Sequence, residues 1–378
     1  MKFALVGVGG AGGRIVDRLH EEEAATGRSF SNGSLLAFDT DRSAFEGMDH
    51  IPLDRHILVG DTHPDIRGEG VDGDIELAVS VAREDRNELH REFDKLKLHE
   101  LDAVVLVGGL AGGTGGGLGA VILESLQTLT DIPVYAIGVL PDGGEPDQHI
   151  VNAAESLQSF VRLADSVILF DNDAWHDSAD TLETAYDSLN DGLAQRVSAM
   201  LGLNELADAD IAENTLDSSD LIKTLDSGGI SVIGQATVEL EDSGFFDRIV
   251  SLFRNGDETE DDGTTTTLAM RTQDLVQEAT TRNLTTPCEM SSTDRGLLLV
   301  SGPAEEISRK GFESGRYWLE QESDAAEVFA GDEPRPNGST VTASVLLSNV
   351  TEIPRVDRLK ERAVEAKQTS TSKHQPQD

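Results

Sequence analysis

Residues 108–119 read GGLAGGTGGGLG, directly behind the apolar run 103–107 and in front of the helix-forming stretch 120–129. A strand that ends in successive glycines and turns into a helix offers bare backbone N–H groups and the positive end of a helix dipole, which suits a phosphate. A second turn of this kind lies near the start of the chain. Residues 1–6 read as a strand, GVGGAGG follows at 7–13, and 14–20 continues with helical spacing at Ile15, Val16 and Leu19. Taken alone, Gly7, Gly9 and Gly12 satisfy G-x-G-x-x-G, and Asp39 closes the next strand, 35–38, where a dinucleotide fold places its ribose-binding acid. An NAD(P)- or flavin-dependent oxidoreductase with a Rossmann domain is therefore one reading. The loop at 108–119 argues against it, because a dinucleotide fold uses one such turn for its pyrophosphate and has no standing need of another with Thr114 at its centre. Two glycine turns facing one pocket suit a longer phosphate chain. No Gly-Lys-Ser or Gly-Lys-Thr triplet follows either turn, so a Walker-type loop is excluded.

The segment AGGTGGG at 111–117 resembles the signature of the tubulin and FtsZ superfamily, and GVGGAGG resembles that family's first phosphate loop. The resemblance implies that Gly9, Gly10, Ala11, Gly12 and Arg14, together with Gly109, Ala111, Gly112, Gly113, Thr114, Gly115 and Gly116, surround the phosphates of GTP or GDP with Mg2+. Position 116 is Gly where the signature usually has Ser, Ala or Thr, so a side-chain hydroxyl contact is expected to be missing or replaced by backbone. RGEGVDGD at 67–74 is similar to the third nucleotide loop, with Gly70, Val71, Asp72 and Gly73 at the terminal phosphate. Asp39-Thr40-Asp41 stands where FtsZ proteins usually read Asn-Thr-Asp; Asp41 matches, and the extra carboxylate of Asp39 would repel phosphate unless Mg2+ lies between them. Glu145 in LPDGGEPDQ resembles the acid that holds the ribose, although His149 stands about where FtsZ proteins place an Arg. Asn172 in LFDNDAW matches the asparagine that reads the guanine edge. Tyr186 and Asn190 lie at i and i+4 on one helical face, with a ring to stack on the base and an amide to hydrogen-bond it. Without the resemblance, Tyr186 reads equally as a core aromatic and Asn190 as an exposed helix residue.

The proposed chemistry falls on TLDSSDL, residues 215–221. Asp217 and Asp220 match the two acids of the family's synergy loop, with Thr215 in place of Asn, and the resemblance implies that this loop enters the pocket of the next subunit in a filament and orients the attacking water. At i and i+3 the same two acids could instead cap a helix starting near Leu221.

The 378 residues predict about two domains. Strands near 2–6, 34–38, 56–59, 103–107, 133–140 and 166–170 alternate with helices, which predicts an α/β class with a largely parallel nucleotide-binding sheet and helices on both faces. From Tyr186, apolar residues recur at Leu189, Leu193, Val197, Met200 and Leu201, the period of a long helix buried along one side. A strand at 230–238, a helix at 268–281, a strand at 296–301, a helix at 304–321 and strands near 326–330 and 340–348 predict a smaller α+β domain. The expected division is 1–183 for nucleotide binding, 184–202 for the central helix, 203–229 for the synergy-loop region, 230–366 for the C-terminal domain and 367–378 for a disordered tail. An irregular insert is expected at 241–267. Its FFDRIVSLFR part reads as a local core helix or lateral filament contact and leaves a peripheral membrane or adaptor contact open; its acidic, Thr-rich part, 255–267, reads as a solvated loop.

Seventy acids against thirty Lys plus Arg, of which eight are Lys, give a net charge of -40 spread along the whole chain. Such a surface suits the cytoplasm of a salt-accumulating organism, where molar salt shortens the Debye length to about 3 Å. It disfavours nucleic acid. The single Cys288 allows no internal disulfide and reads as a packed small residue. No apolar run reaches the length of a membrane span, and Gly7, Gly9 and Gly10 break any signal-peptide core, so a cytoplasmic protein is expected. The chain closes on KQTSTSKHQPQD, without the hydrophobic and basic peptide of bacterial-type FtsZ proteins, while FDNDAW, TLDSSDL and SRKGFESGRYWLE look like the archaeal CetZ group. The resemblance implies a GTPase that polymerises head to tail with copies of itself and controls cell shape. A GTP-binding scaffold without hydrolysis is the remaining alternative.

Overall fold

The computed structural model describes residues 2–175, 182–203, 205–206, 212, 214–240, 260–335 and 338–373. The chain forms two compact units, one of Met1–Leu201, Gly228–Ile230 and Ile353–Asp378, the other of Gly202–Ser227 and Ser231–Glu352.

The first unit holds strands β1 (Phe3–Val8), β2 (Leu35–Asp39), β3 (His56–Leu58), β4 (Ala103–Gly109), β5 (Val134–Leu140) and β6 (Val167–Asp171). They pair in the order β3-β2-β1-β4-β5-β6, every pair parallel. β1 and β5 are buried at every residue, which is why these stretches are continuous apolar runs rather than alternating ones: both faces are covered. The helices are α1 (Gly9–Thr26), α2 (Ile75–Glu84), α3 (Arg86–Phe93), α4 (Gly119–Leu129), α5 (Asp147–Leu163), α6 (Asn172–Trp175) and α7 (Leu182–Leu201). α1 packs against α7, whose stripe Leu189, Leu193, Val197, Met200 and Leu201 is buried as its period predicts. Chain order reverses between β1 and β4, the neighbours from which both glycine turns spring, with Val8 beside Gly108. In a parallel sheet this is where a crevice opens at the carboxyl ends of the strands.

The second unit holds α8 (Ser218–Leu225), β7 (Ile230–Glu239), α9 (Glu260–Thr281), β8 (Arg295–Gly302), α10 (Arg309–Ser323), β9 (Glu327–Pro334) and β10 (Thr340–Ser348). β10 lies antiparallel between β7 and β8, and β8 pairs with β9 in parallel. α9 and α10 pack on one another, α9 also on β10 and α10 on β8 and β9.

Three expectations differ from this. Residues 260–267, read as loop, open α9. The helix expected over 304–321 is a 3₁₀ turn at Ala304–Glu306 followed by α10, because Ser308 caps the later start by accepting from the Gly311 N–H at 3.2 Å. The third difference is α11 (Pro354–Lys373), which was assigned to the C-terminal domain and a tail. It packs along α5 of the first unit, through the buried stripe Val356, Leu359, Ala363 and Ala366. Residues 374–378 and the FFDRIVSLFR segment lie outside the described residues.

Candidate functional site

The two glycine turns meet at the β1/β4 reversal. Gly9 adopts φ +74°, and a Cβ on it would stand 3.0 Å from the Gly115 nitrogen; one on Gly12 would stand 2.1 Å from the Val107 carbonyl oxygen. These glycines let the start of α1 lie against the second loop. Gly10 and Gly112 differ. Neither has a positive φ; a Cβ on Gly10 would meet the far end of the Arg14 side chain at 3.2 Å and Ala44 Cβ at 3.8 Å, and one on Gly112 no protein atom nearer than 4.0 Å. Packing gives no reason for glycine there, whereas approach of an external group to bare backbone does. Val8, ahead of α1, supplies no side-chain acceptor, so the first-turn N–H groups stay available to an anion. The second loop passes through a π-helical turn, Thr114–Leu118, and the Thr114 hydroxyl shares a 2.6 Å hydrogen bond with Thr40 at the end of β2.

Gly116 does not face this opening. A Cβ there would lie 2.0 Å from Oγ of Ser156 on α5, so a neighbouring helix fills the volume that a side chain would need.

The third loop closes on the second. Asp72 and Gly73 hold φ of 47° and 80°, and a Cβ on Gly113 would stand 2.8 Å from both the Asp74 nitrogen and the Val71 side chain. Val71 is thus a buried prop, leaving its backbone and Gly70, Asp72 and Gly73 to meet a ligand. Sequence reasoning missed the clamp between the loops: Asn152 of α5, 2% exposed, donates through Nδ2 to the Gly73 carbonyl at 2.8 Å and the Ala111 carbonyl at 3.0 Å. Its only signal was an amide beside the apolar stripe Ile150, Ala153, Leu157 and Phe160.

Among the predicted acids, Asp41 turns onto its own loop, accepting from Ser43 N–H at 2.8 Å and Ser43 Oγ at 2.9 Å, and its backbone N–H donates to Asp39 Oδ1 at 2.9 Å. Asp39 is 3% exposed, and its Oδ2 has no hydrogen-bond partner. Burial raises its carboxyl to about 6, against hydrogen bonds from Asp41 and Thr40 that pull it down.

Farther along the same edge, Glu145 accepts from the Asp142 N–H at 3.0 Å and pairs with His149 Nδ1 at 2.7 Å, so His149 occupies the place expected of Arg as a partner of the acid. Asn172 opens α6 and is 8% exposed. Tyr186 on α7 is 38% exposed, and its burial and the charges of Glu145 and Asp142 raise its pKa. Asn190 follows one turn later, half-buried. The three loops and the turns bearing Glu145 and Asn172 thus all follow the carboxyl ends of strands of one parallel sheet, while Gly116 packs on α5.

Asp217 and Asp220 lie in the second unit and form a capping box at α8: Asp217 Oδ1 accepts from Ser219 N–H at 2.7 Å and Asp220 N–H at 3.3 Å, and Asp220 Oδ2 accepts from Asp217 N–H at 3.0 Å. The capping reading of these acids is therefore realised. Hydrogen bonds from Ser219 hold the Asp217 carboxyl below its usual range, so it stays ionised and exposed.

The profile of the GTPase domain of the Tubulin/FtsZ family matches residues 2–180, and that of the tubulin-like CetZ C-terminal domain matches residues 179–365. The tubulin-like proteins CetZ3 and CetZ1 of Haloferax volcanii are 40% and 36% identical to the chain, over 99% and 97% of it and 95% and 92% of their own lengths. The structure of CetZ1 from Haloferax volcanii as a GDP-bound monomer superposes with a TM-score of 0.82 at 33% identity, covering 97% of this chain and all of that one. That of CetZ2 from the same organism as a GTPγS-bound protofilament gives 0.82 at 30% identity, covering 98% and 100%. With both halves matched and relatives aligned along nearly its whole length, the chain belongs to the tubulin/FtsZ family, within its CetZ group.

Proposed function

We propose that this chain binds GTP at the carboxyl edge of its parallel sheet, hydrolyses it to GDP and phosphate, and polymerises head to tail into protofilaments that act on cell shape in the cytoplasm. The observation that carries this reading is the pair of glycine turns at the β1/β4 reversal, with backbone left open at Gly10 and Gly112 and a third loop pinned beside them by Asn152. Bare N–H groups of both turns hold the phosphates, Glu145 the ribose, and Asn172, Tyr186 and Asn190 the base. A solved CetZ2 protofilament carrying a GTP analogue supports assembly as the working state.

Among the described residues no group of three or more His, Cys, Asp or Glu is arranged to hold a metal. That fits Mg2+, which is bound through one or two carboxylates plus substrate phosphates rather than by an all-protein cage. The unpartnered Oδ2 of Asp39 and the neighbouring carboxylate of Asp41 are the groups that would hold it. Bound there, Mg2+ would neutralise charge developing on the phosphates. Asp217 and Asp220, presented by one subunit to the nucleotide of the next, orient the attacking water. Among the described residues no helix is long and apolar enough to cross a membrane. Cys288, whose thiol burial pushes up to about 12, takes no part.

Phosphate release from GTP per subunit, measured against protein concentration in molar KCl with Mg2+, tests this. Turnover is expected to rise above a concentration threshold. A flat, nonzero rate places catalysis within one chain, and no turnover at any concentration with GTP bound leaves a scaffold.

A further inference from the structure

The loop that carries Glu145, PDGGEP at 141–146, contains two adjacent glycines; within it Glu145 N–H donates to the Asp142 carbonyl at 3.1 Å, Gly144 N–H to Asp142 Oδ1 at 2.7 Å and Asp142 N–H to the Glu145 carboxylate at 3.0 Å, and that carboxylate also meets His149 Nδ1 of α5 at 2.7 Å. Two adjacent glycines give a loop many conformations to lose before it can hold a ligand. The rest of its support comes from outside. Arg362, midway along α11, donates from Nη1 to the Gly143 carbonyl at 2.6 Å and from Nη2 to the carbonyl of Glu145 itself at 2.9 Å and to Asp147 Oδ1 at 3.0 Å. Its planar fork thus spans the loop from its glycines to the first residue of α5.

Arg355, two turns earlier on α11, fixes the beginning of the loop. It donates to the Pro141 carbonyl at 2.7 Å and to Asp171 Oδ1 at 3.0 Å, in a pair of which both side chains are buried. Asp171 also accepts from Asp173 N–H at 3.2 Å, and Asp173 accepts from Gly143 N–H at 2.9 Å, so the ribose loop and the turn bearing Asn172 are laced together. α11 itself does not depend on Arg362: its buried stripe lies on α5, and Lys367 pairs with Glu155 of α5 at 2.5 Å. The Arg362 side chain is 36% exposed. Two of its three hydrogen bonds go to backbone carbonyls of the loop, and the third, to Asp147, adds one exposed tie to α5 beside the buried stripe.

We propose that Arg362 is a positioning residue for the ribose: by holding the backbone of Gly143 and Glu145, it keeps the Glu145 carboxylate in the conformation that receives the sugar hydroxyls, with Arg355 as the fixed end of the brace. This rests on the reading above that Glu145 holds the ribose. Without the fork, the loop spends only part of its time in the binding conformation, and affinity falls by that fraction. The loss falls on the part of the affinity that comes from the sugar hydroxyls and leaves the phosphate loops, held by Asn152, as they are.

The experiment is titration of the full chain, nucleotide-free and in molar KCl, with GDP and with 2′,3′-dideoxy-GDP, for the unsubstituted protein, Arg362→Ala, Arg362→Lys and Glu145→Ala, with thermal unfolding of each. For Arg362→Ala the Kd for GDP is expected to rise about tenfold, as for a loop competent about a tenth of the time. The Kd for the dideoxy nucleotide should change little, so the ratio between the two collapses while the melting temperature holds. Arg362→Lys, able to reach one carbonyl, should recover part of the ratio. An equal loss for both nucleotides, or an unchanged GDP affinity, overturns the proposal. If Glu145→Ala collapses the ratio and Arg362→Ala does not, the positioning role alone fails. If Glu145→Ala leaves the ratio intact, the assignment of the ribose site fails, and the positioning role with it.

Discussion

Asp39 places a carboxyl at the end of β2 in surroundings that oppose its charge. A carboxyl 3% exposed, with one oxygen unpartnered, favours its protonated form, and its pKa of about 6 stands above an ordinary 3.8. Between those values the folded chain binds more protons than the unfolded one, so stability drawn from this group is full at low pH, falls as pH rises from about 4 to 6, and is absent above. A shift of this size is worth about 3 kcal/mol. Asp39→Asn keeps an acceptor for the Asp41 N–H and removes the charge, at the cost of a buried amide donor. It should stabilise the nucleotide-free protein at pH 7.5 by about 1–3 kcal/mol and leave it unchanged near pH 4. Urea unfolding at the two pH values checks this; equal gains at both would show that Asp39 does not titrate as its burial requires.

At the scale of elements, the capping box of α8 uses both carboxylates assigned to catalysis, and the two roles can be separated chemically. Asparagine is as good an N-cap as aspartate, because its side-chain oxygen accepts the same N–H bonds, whereas alanine loses about 1 kcal/mol. Asp217→Asn should therefore leave the melting temperature unchanged while abolishing most concentration-dependent phosphate release; Asp217→Ala should lower both. Full turnover in Asp217→Asn would reduce this residue to a cap. The elements also show which parts of the molecule could be read from sequence. Both glycine loops, the strand runs and the α7 stripe are local patterns, each decided by neighbours within about two turns or one strand, and they lie where the sequence put them. The braces are not local. Asn152 reaches Gly73 across 79 residues and Arg362 reaches Gly143 across 219, and a polar side chain on a helix carries no mark of which distant carbonyl it will meet. A helix over 354–373 was not expected, and the stretch was divided between the C-terminal domain and a tail, because its partner, α5, lies 212 residues away at the Lys367–Glu155 contact and leaves no local mark.

For the whole molecule, charge governs when subunits can meet. A formal net charge of -40 on 378 residues means that two copies approaching head to tail repel wherever their fields overlap. At about 1 M monovalent salt the Debye length is roughly 3 Å, shorter than the gap at which an interface begins to form, while at about 0.1 M it is roughly 10 Å and repulsion acts before contact. If hydrolysis is completed between subunits, lowering KCl from about 1 M to about 0.1 M should raise the protein concentration at which turnover begins, without comparable weakening of GDP binding to the monomer. Screening depends on ionic strength and not on the identity of the cation, so NaCl at equal ionic strength should restore the threshold and sucrose should not. Light scattering and phosphate release, followed together along the salt series, check both halves of the argument. A threshold that stays fixed while salt falls would mean that the acidic surface is turned away from the subunit contacts, and that the charge serves solubility alone.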